Sequence, residues 1–245
     1  MGLGCDRRAA RGDKAGSKRV AALLRDLNTA TRQGAVAVRR PRQGVGLGMM
    51  DDNRPSSPGA ASGPSKVVLN VGCGYPSSQG LHRSFKNPDW RELRLDINPA
   101  VNPDVLCSMT DMHPIATGSI DAIWSSHNLE HLHRHEVPVA LAEFKRVLRP
   151  GGQLLLTLPD LQRIAELIAN DGLEDEAYSS PAGPITPLDM IYGHTPSLAR
   201  GNQHMAHKTG FTARTLRQLL VDAGFAGVAL QRDHFALWAR AQKPA

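Results

Sequence analysis

Residues 67–76 read V-V-L-N-V-G-C-G-Y-P, and the fold follows from how they are read. Val67–Val71 is an almost unbroken aliphatic run, the pattern of a strand buried on both faces in a parallel sheet. Gly72-Cys73-Gly74 follows at once. Glycines there let the backbone turn sharply and let another group come close, because no Cβ stands in the way. A strand, a glycine turn and the start of a helix make the nucleotide-binding corner of a doubly wound sheet. An ordinary tight turn behind a core strand can carry the same short pattern, so the downstream sequence has to decide.

Downstream, apolar segments and helical segments alternate. Glu92–Leu95 reads as a second strand ending at Asp96, 22 residues after Gly74. In a doubly wound sheet an acid at that distance sits at a strand tip and can accept both hydroxyls of a ribose. A surface Asp opening the turn Asp96-Ile97-Asn98-Pro99 is the plainer alternative. Helical turns are expected around Leu81–Phe85, and a third strand over 104–108. Ile120–Trp124 is a fourth strand, leaving Ser125-Ser126-His127-Asn128 at its carboxyl end, where ligand crevices of open α/β sheets lie. A helix over 136–148 presents Val137, Leu141, Phe144 and Leu148 on one face and stops at Arg149-Pro150-Gly151-Gly152. Residues 153–158 form a fifth strand and 161–169 a helix.

Residues 171–211 break this alternation. The segment is dense in Gly and Pro and holds Tyr192, His194, His204, His207 and Lys208. A late insertion of this length is a candidate lid or acceptor-binding segment, or a plain surface excursion. Thr212 then caps a helix to Ala223. Two strands, 227–232 and 235–240, are separated only by Asp233-His234, which requires an antiparallel hairpin. The predicted fold class is α/β: a doubly wound, mostly parallel, seven-stranded Rossmann-like sheet with a C-terminal antiparallel hairpin.

Charge separates the chain into two regions. Residues 1–49 hold 11 Lys+Arg against 3 Asp+Glu, whereas the rest holds 18 against 20. The basic excess therefore belongs to a leader, which lacks Phe, Trp and Tyr and so has no platform for stacking bases. No specific nucleic-acid partner is expected. Residues 1–65 read as a basic leader and a Pro/Ser/Gly linker with no fixed structure, and 66–245 as the folded domain. Val20, Leu23, Leu24 and Leu27 form one amphipathic helical pattern, so an organelle-targeting peptide is an alternative to a cytoplasmic location. A third possibility is that translation starts at Met49 or Met50. Three cysteines, Cys5, Cys73 and Cys107, suggest neither a disulfide framework nor a zinc knuckle and point to a reducing compartment. No apolar run reaches the roughly 18 residues that a membrane span needs.

Five elements together carry a family resemblance: V-L-N-V-G-C-G at 68–74, L-D-I-N at 95–98, T-D-M-H-P-I at 110–115, S-I-D-A-I-W-S-S-H-N-L-E-H-L at 119–132, and F-K-R-V-L-R-P-G-G-Q-L-L-L-T-L-P-D at 144–160. The sum resembles the class I S-adenosylmethionine (SAM)-dependent methyltransferases, nearest to small predicted methyltransferases whose first motif reads L-N-x-G-C-G. The resemblance spans about 66–244 and says little about substrate. It implies that Gly72, Cys73 and Gly74 pass under the methionine part of SAM. Asp96 would hold the ribose and Ile97 pack on the adenine. Asp111 would accept from the adenine amino group, with Met112 beside the ring, and Ser126 or His127 would close the site. Asn70 belongs to the same binding motif but stands where many relatives carry Asp or Glu, and Pro76 replaces a common glycine.

Methyl transfer asks the protein chiefly to align the acceptor with an already activated carbon at about 3–3.5 Å. A general base is required only for a hydroxyl or protonated amine, and His127 and His131 are the candidates, with His207 as a further one. Either of the first two could instead be structural. The acceptor expected from the resemblance is a small molecule or a glycan. Residues 127–131 also spell H-x-x-E-H, an inverted zinc-protease motif, but that motif belongs inside a long helix and here starts at a strand end, so no metal is expected. A nicotinamide-dependent oxidoreductase is a rival, although Gly72-x-Gly74-x-x-Ser77 lacks the third glycine of that fingerprint. A non-catalytic SAM-fold binding protein is a second rival.

Overall fold

The structure is a computed structural model that describes residues 66–76 and 80–245. The leader and linker read at 1–65 lie outside the described residues. Seven strands form the main sheet: β1 (Lys66–Val71), β2 (Trp90–Asp96), β3 (Val105–Leu106), β4 (Ile120–Ser126), β5 (Leu148–Pro159), β8 (Ala226–Asp233) and β9 (Ala236–Gln242). Their order is β3-β2-β1-β4-β5-β9-β8. Pairing is parallel from β3 to β5 and antiparallel from β5 through β9 to β8. The chain order reverses at β1, so the connections leaving β1 and β4 run to opposite sides of the sheet and open the crevice that such a sheet offers to a ligand.

One face of the sheet is covered by two helices. From α1 (Val137–Val147), Val137, Ala140, Leu141, Phe144 and Val147 point inward, and from α5 (Ala213–Asp222), Leu216 and Leu220 do so. They pack on Leu69, Val71, Ile123, Leu154 and Leu156 in one fully buried cluster. The other face has no long helix among the described residues. There the connection from Gly80 to Asp89 makes a single 3-10 turn at Arg83–Phe85, within the stretch where helical turns are expected. Pro76, Gly80 in the left-handed region (φ +52°) and the pair Asn87-Pro88 leave too little regular backbone for more. Aromatic rings do the covering. Phe85 meets Trp90 edge-on at 4.9 Å, and Trp124 stacks on Trp238 at 5.8 Å.

Three boundaries differ from the sequence reading. Strand β3 shrinks to two residues. Strand β5 starts at Leu148, because Leu148 pairs with Ile120 across a register shift that absorbs the turn at Arg149–Gly152. In the last hairpin the pair Asp233↔Ala236 closes the ladder, which places the two-residue loop at His234-Phe235, one residue later than expected.

The segment 171–211 is built rather than loose. It holds a small hairpin, β6 (Tyr178–Ser180) and β7 (Gly183–Ile185), then α3 (Pro187–Tyr192) and α4 (Thr195–Ala199). Thr186 and Asp189 form a capping box on α3, and Asp189 also accepts from the Thr195 amide at 2.8 Å, which ties α4 to it. Burial opposes charge on Asp189, but the hydrogen bonds from Thr195 and Thr186 outweigh it and hold the carboxyl below its ordinary value. Ile185 and Met190 pack on Ile164 of α2 (Leu161–Ile168), so the insertion has its own small core against the domain.

Candidate functional site

The glycine corner is held from inside. Gly72 and Gly74 both adopt left-handed backbone, φ +61° and +58°. The Cys73 amide donates to the Leu95 carbonyl at 3.0 Å and the Gly74 amide to Asp96 Oδ2 at 2.9 Å. Asp96 Oδ1 accepts from the Asn98 amide at 2.9 Å. Arg94 braces the underside, donating to the carbonyls of Gly74 (2.7 Å), Val101 (3.1 Å) and Asn102 (2.8 Å). Burial pushes the Cys73 thiol up despite Arg94, so it is a neutral packing group. Each Asp96 oxygen has accepted one hydrogen bond and can accept another. Tyr75 and Ile97 lie exposed on either side. A ribose with an apolar base beside it fits this corner: two turned glycines, a carboxylate with spare acceptor capacity and bare apolar surface.

Gly72 has a second reason to lack a side chain. A Cβ there would stand 1.8 Å from Oδ1 of Asn128. Asn128 is buried, and its amide nitrogen donates to the Val71 carbonyl at 2.8 Å and the Ser126 carbonyl at 2.9 Å. It therefore locks the ends of β1 and β4 together at the crevice. Sequence reasoning quoted Asn128 within the 119–132 motif but gave it no role.

Three of the expected contact residues have partners within the protein. Asn70 is buried and its amide donates to Glu92 Oε1 at 2.7 Å, so the acidic group at this position comes from the neighbouring strand. Met112 is fully buried within the main core, which leaves only its backbone to face a ligand; its amide donates to Glu143 Oε2 at 2.7 Å and its carbonyl accepts from Arg146 at 2.9 Å. Asp111 is exposed and takes the His113 amide at 3.3 Å. It stays on the same edge, because the Cys107 amide donates to the Asp96 carbonyl at 3.1 Å and the Asp111 charge helps to raise the Cys107 thiol, after burial. Asp111 sits on the turn after β3, where its amide donates to the Ser108 carbonyl at 3.1 Å.

Past β4 the chemistry changes. Ser126 ends the strand, and the His127 amide donates to the Thr157 carbonyl at 2.9 Å. His127 itself is left-handed at φ +53°, a strained geometry for a residue with a side chain. Its Nδ1 lies 3.2 Å from Oε1 of Glu130; a carboxylate only accepts, so the imidazole donates there and Nε2 is left with the lone pair. Glu130 is 1% exposed, and its Oε2 has no hydrogen-bond partner. Burial disfavours the Glu130 charge, but the His127 bond and the neighbouring charges of His127, His131 and His207 more than offset this and lower its pKa. Burial likewise pushes His127 down, and Glu130 outweighs it, leaving His127 above its ordinary value. His127 and His131 do not share a long helix; a 3-10 turn, Leu129–His131, lies between strand and loop, so the protease geometry of H-x-x-E-H is absent.

The insertion supplies the rest. The amides of Lys208 and Thr209 donate to the Glu130 carbonyl at 2.8 and 3.2 Å. His131 Nδ1 donates to the Ala206 carbonyl at 3.0 Å and His207 Nδ1 to the Met190 carbonyl at 2.9 Å. Their rings meet edge to face at 4.9 Å. Burial pushes His207 down although Glu130 pulls it up. Glu130, His131 and His207 each offer a ligand atom within 4.8 Å of the others and could hold a metal. Beside them is a cavity of about 240 Å³ lined by Glu130, Met190, Tyr192, His207, Lys208 and Phe211. Gly193 permits this docking: its φ is +101°, and a Cβ would stand 2.0 Å from the Met205 carbonyl oxygen. Among the described residues no helix is long and apolar enough to cross a membrane.

Residues 69–156 match the model of the family described as "Methyltransferase domain". An uncharacterized 37.1 kDa protein in transposon TN4556 of Streptomyces fradiae is 28% identical over 178 residues, covering 66% of this chain and 44% of that protein. A malonyl-[acyl-carrier protein] O-methyltransferase of Laribacter hongkongensis is 29% identical over 120 residues, 41% of this chain and 39% of that protein. The chain thus spans less than half the length of these curated relatives. Among solved structures, the 1,6-didemethyltoxoflavin-N1-methyltransferase of Burkholderia thailandensis superposes with a TM-score of 0.47 at 19% identity, over 74% of this chain and 72% of that one.

Proposed function

The chain carries a class I SAM-dependent methyltransferase domain, and from that premise we propose that it transfers a methyl group to a small-molecule acceptor, or to one sugar unit of a glycan, seated in the cavity beside Glu130. The reading rests above all on the corner in which the Gly74 amide and Asp96 close on each other at 2.9 Å. Gly72, Cys73 and Gly74 would run under the methionine part of SAM. Asp96 would accept from the ribose hydroxyls, Ile97 would cover the adenine and Asp111 would accept from its amino group. Met112 would contribute backbone only, and Asn70 would act through Glu92. When bound, SAM supplies a methyl carbon already activated by its sulfonium.

The remaining work falls to the chain's own side chains. The cavity walls, including Met190 and Phe211, take an apolar body, while Lys208 and Tyr192 meet a polar end. That fixes the acceptor's approach, the main requirement of an in-line transfer. If the reacting group is a hydroxyl or protonated amine, His127 accepts its proton at Nε2. Glu130 orients that ring and stabilises the imidazolium. His207 lines the same cavity, and His131 meets its ring edge to face behind it.

Calorimetry on the full chain tests this. SAM should bind and NADH should not, and Asp96→Ala should weaken SAM at least about tenfold, since a charge-assisted contact is lost. A metabolite extract incubated with protein and SAM should then yield one species heavier by a methyl group. A full chain without measurable affinity for SAM would refute the reading.

A further inference from the structure

We propose that Glu130, His131 and His207 form a site for one divalent late first-row transition ion, with zinc as the ion best suited to the donors. Two imidazoles and a carboxylate are the set that zinc takes when it keeps an open coordination position. The proposal stands on metal binding alone and does not depend on the methyl-transfer reading.

Several features of the site are hard to explain without a cation. Glu130 is 1% exposed, and its Oε2 has no hydrogen-bond partner, a costly state for a buried carboxylate oxygen. Its other oxygen is already engaged by His127 at 3.2 Å, so the two oxygens have separate tasks. Both histidines spend Nδ1–H on a backbone carbonyl, Ala206 at 3.0 Å and Met190 at 2.9 Å. That fixes the tautomer with the lone pair on Nε2 and sets the ring plane, the arrangement that metal-binding histidines adopt. The three ligand atoms lie within 4.8 Å of one another. Ligands at about 2.0–2.2 Å from a tetrahedral ion sit about 3.3–3.6 Å apart, so these three residues need only a modest closure to share one ion. The scaffold is stiff enough to keep them close, because the Lys208 and Thr209 amides are fastened to the Glu130 carbonyl itself.

The neighbouring histidines make a useful contrast. His133 and His135 stack at 5.8 Å, yet both are exposed and neither adjoins a buried unpartnered acid. The proposed ion would also adjoin the 240 Å³ cavity, whose lining includes Glu130 and His207. Its open position would therefore be available to an oxygen of whatever occupies that cavity, which a divalent ion would polarise.

The test uses the full chain, stripped with a chelator and titrated with Zn²⁺ by calorimetry. One ion per chain is expected. Glu130→Gln, His131→Ala and His207→Ala should each weaken binding at least tenfold, while the double variant His133→Ala/His135→Ala should bind as the unmodified chain does. Co²⁺ added to the unmodified protein should give the intense visible absorption of a four- or five-coordinate nitrogen–oxygen site, a readout that no misfolded variant can blur. The proposal is overturned if binding is absent, if it survives His207→Ala but is lost in the His133/His135 variant, or if Co²⁺ shows only the weak spectrum of its six-coordinate aqueous form.

Discussion

The two halves of the sheet's carboxyl edge are made differently. In the corner, contacts join β1 to β2 over 22 residues, as in Asn70–Glu92 and Gly74–Asp96, and almost every polar group is spoken for: Asp96 by two amides, Arg94 by three carbonyls. On the far side, the contact between His131 and Ala206 spans 75 residues, and a buried carboxylate oxygen is left bare. A corner stitched by its own backbone is set before any ligand arrives. The far side exists only while the insertion stays docked. Damage to one should therefore leave the other standing.

The sharpest way to break that separation is Gly193→Ala. The added Cβ would be 2.0 Å from a backbone oxygen, which cannot swing away as a side chain could, and the φ of +101° strains any non-glycine residue. The stretch carrying His207 must shift. Turnover on the acceptor should fall by roughly 100-fold, the order expected for a misplacement of about an ångström. SAM affinity, measured in the same preparation, should stay within about twofold of the unmodified chain, well short of the tenfold that a lost charged contact brings. Equal loss of both would mean that the halves are one unit.

Gly72→Ala attacks the seam where they join. Left-handed backbone costs about 1–2 kcal/mol for a residue with a Cβ. Overlap with the Asn128 side chain at 1.8 Å adds about 1–3 kcal/mol. Denaturant unfolding should therefore show a loss of about 2–5 kcal/mol. The double variant Gly72→Ala/Asn128→Ala should regain part of the overlap cost and none of the backbone cost. A fully stable single variant would show that Asn128 does not pack there.

This contrast also explains how much could be read from the sequence. The corner was legible because its parts are local: a buried strand, two glycines and an acid one strand later carry a fixed spacing. The topology and the final hairpin followed from the same alternation of periods. On the sheet's second face only the helical turn near Arg83 was legible, since the aromatic cover around Trp124 and Trp238 is built by ring packing, which has no period. The burial of Met112 was not legible because the motif fixes its position in the chain but not the face its side chain takes. His207 entered as a secondary candidate only, because nothing in a linear pattern tells that residue 207 returns to residue 130. Asn128 carries no signal in the sequence, since a side chain whose role is to occupy the space above a glycine leaves no signature beyond its own name.

A graded change at Asp96 refines the corner's side of the comparison. Asp96→Asn keeps the shape and one acceptor but loses the charge and presents an NH₂ group to the Gly74 or Asn98 amide. SAM affinity should fall less than in Asp96→Ala, by roughly threefold to tenfold, the share of a charge-assisted bond that exceeds a neutral one. Calorimetry that ranks Asn below Ala would mean that the carboxylate matters for holding the turn and not for holding a ribose.

The smallest expected effect lies beneath the corner, at His82. Burial, and then the charges of Arg83 and Lys86, push its pKa down to about 4. Its Nδ1 also accepts from the Ser84 amide at 3.2 Å, which requires a lone pair on that nitrogen, and its ring sits 5.1 Å from Trp124. The folded state therefore prefers the neutral ring. Between its unfolded value near 6.5 and the folded value of about 4, the unfolded chain holds a proton that the folded chain lacks, so stability falls as the pH drops through that window and is fully present above it. His82→Phe keeps an aromatic ring against Trp124 and Trp238 and removes the proton. Its melting temperature should lose less than that of the unmodified chain between pH 7 and pH 4, while SAM affinity at pH 7 stays the same. Parallel pH profiles in the two proteins would show that His82 is not the group that titrates, and that this thin face of the sheet tolerates charge.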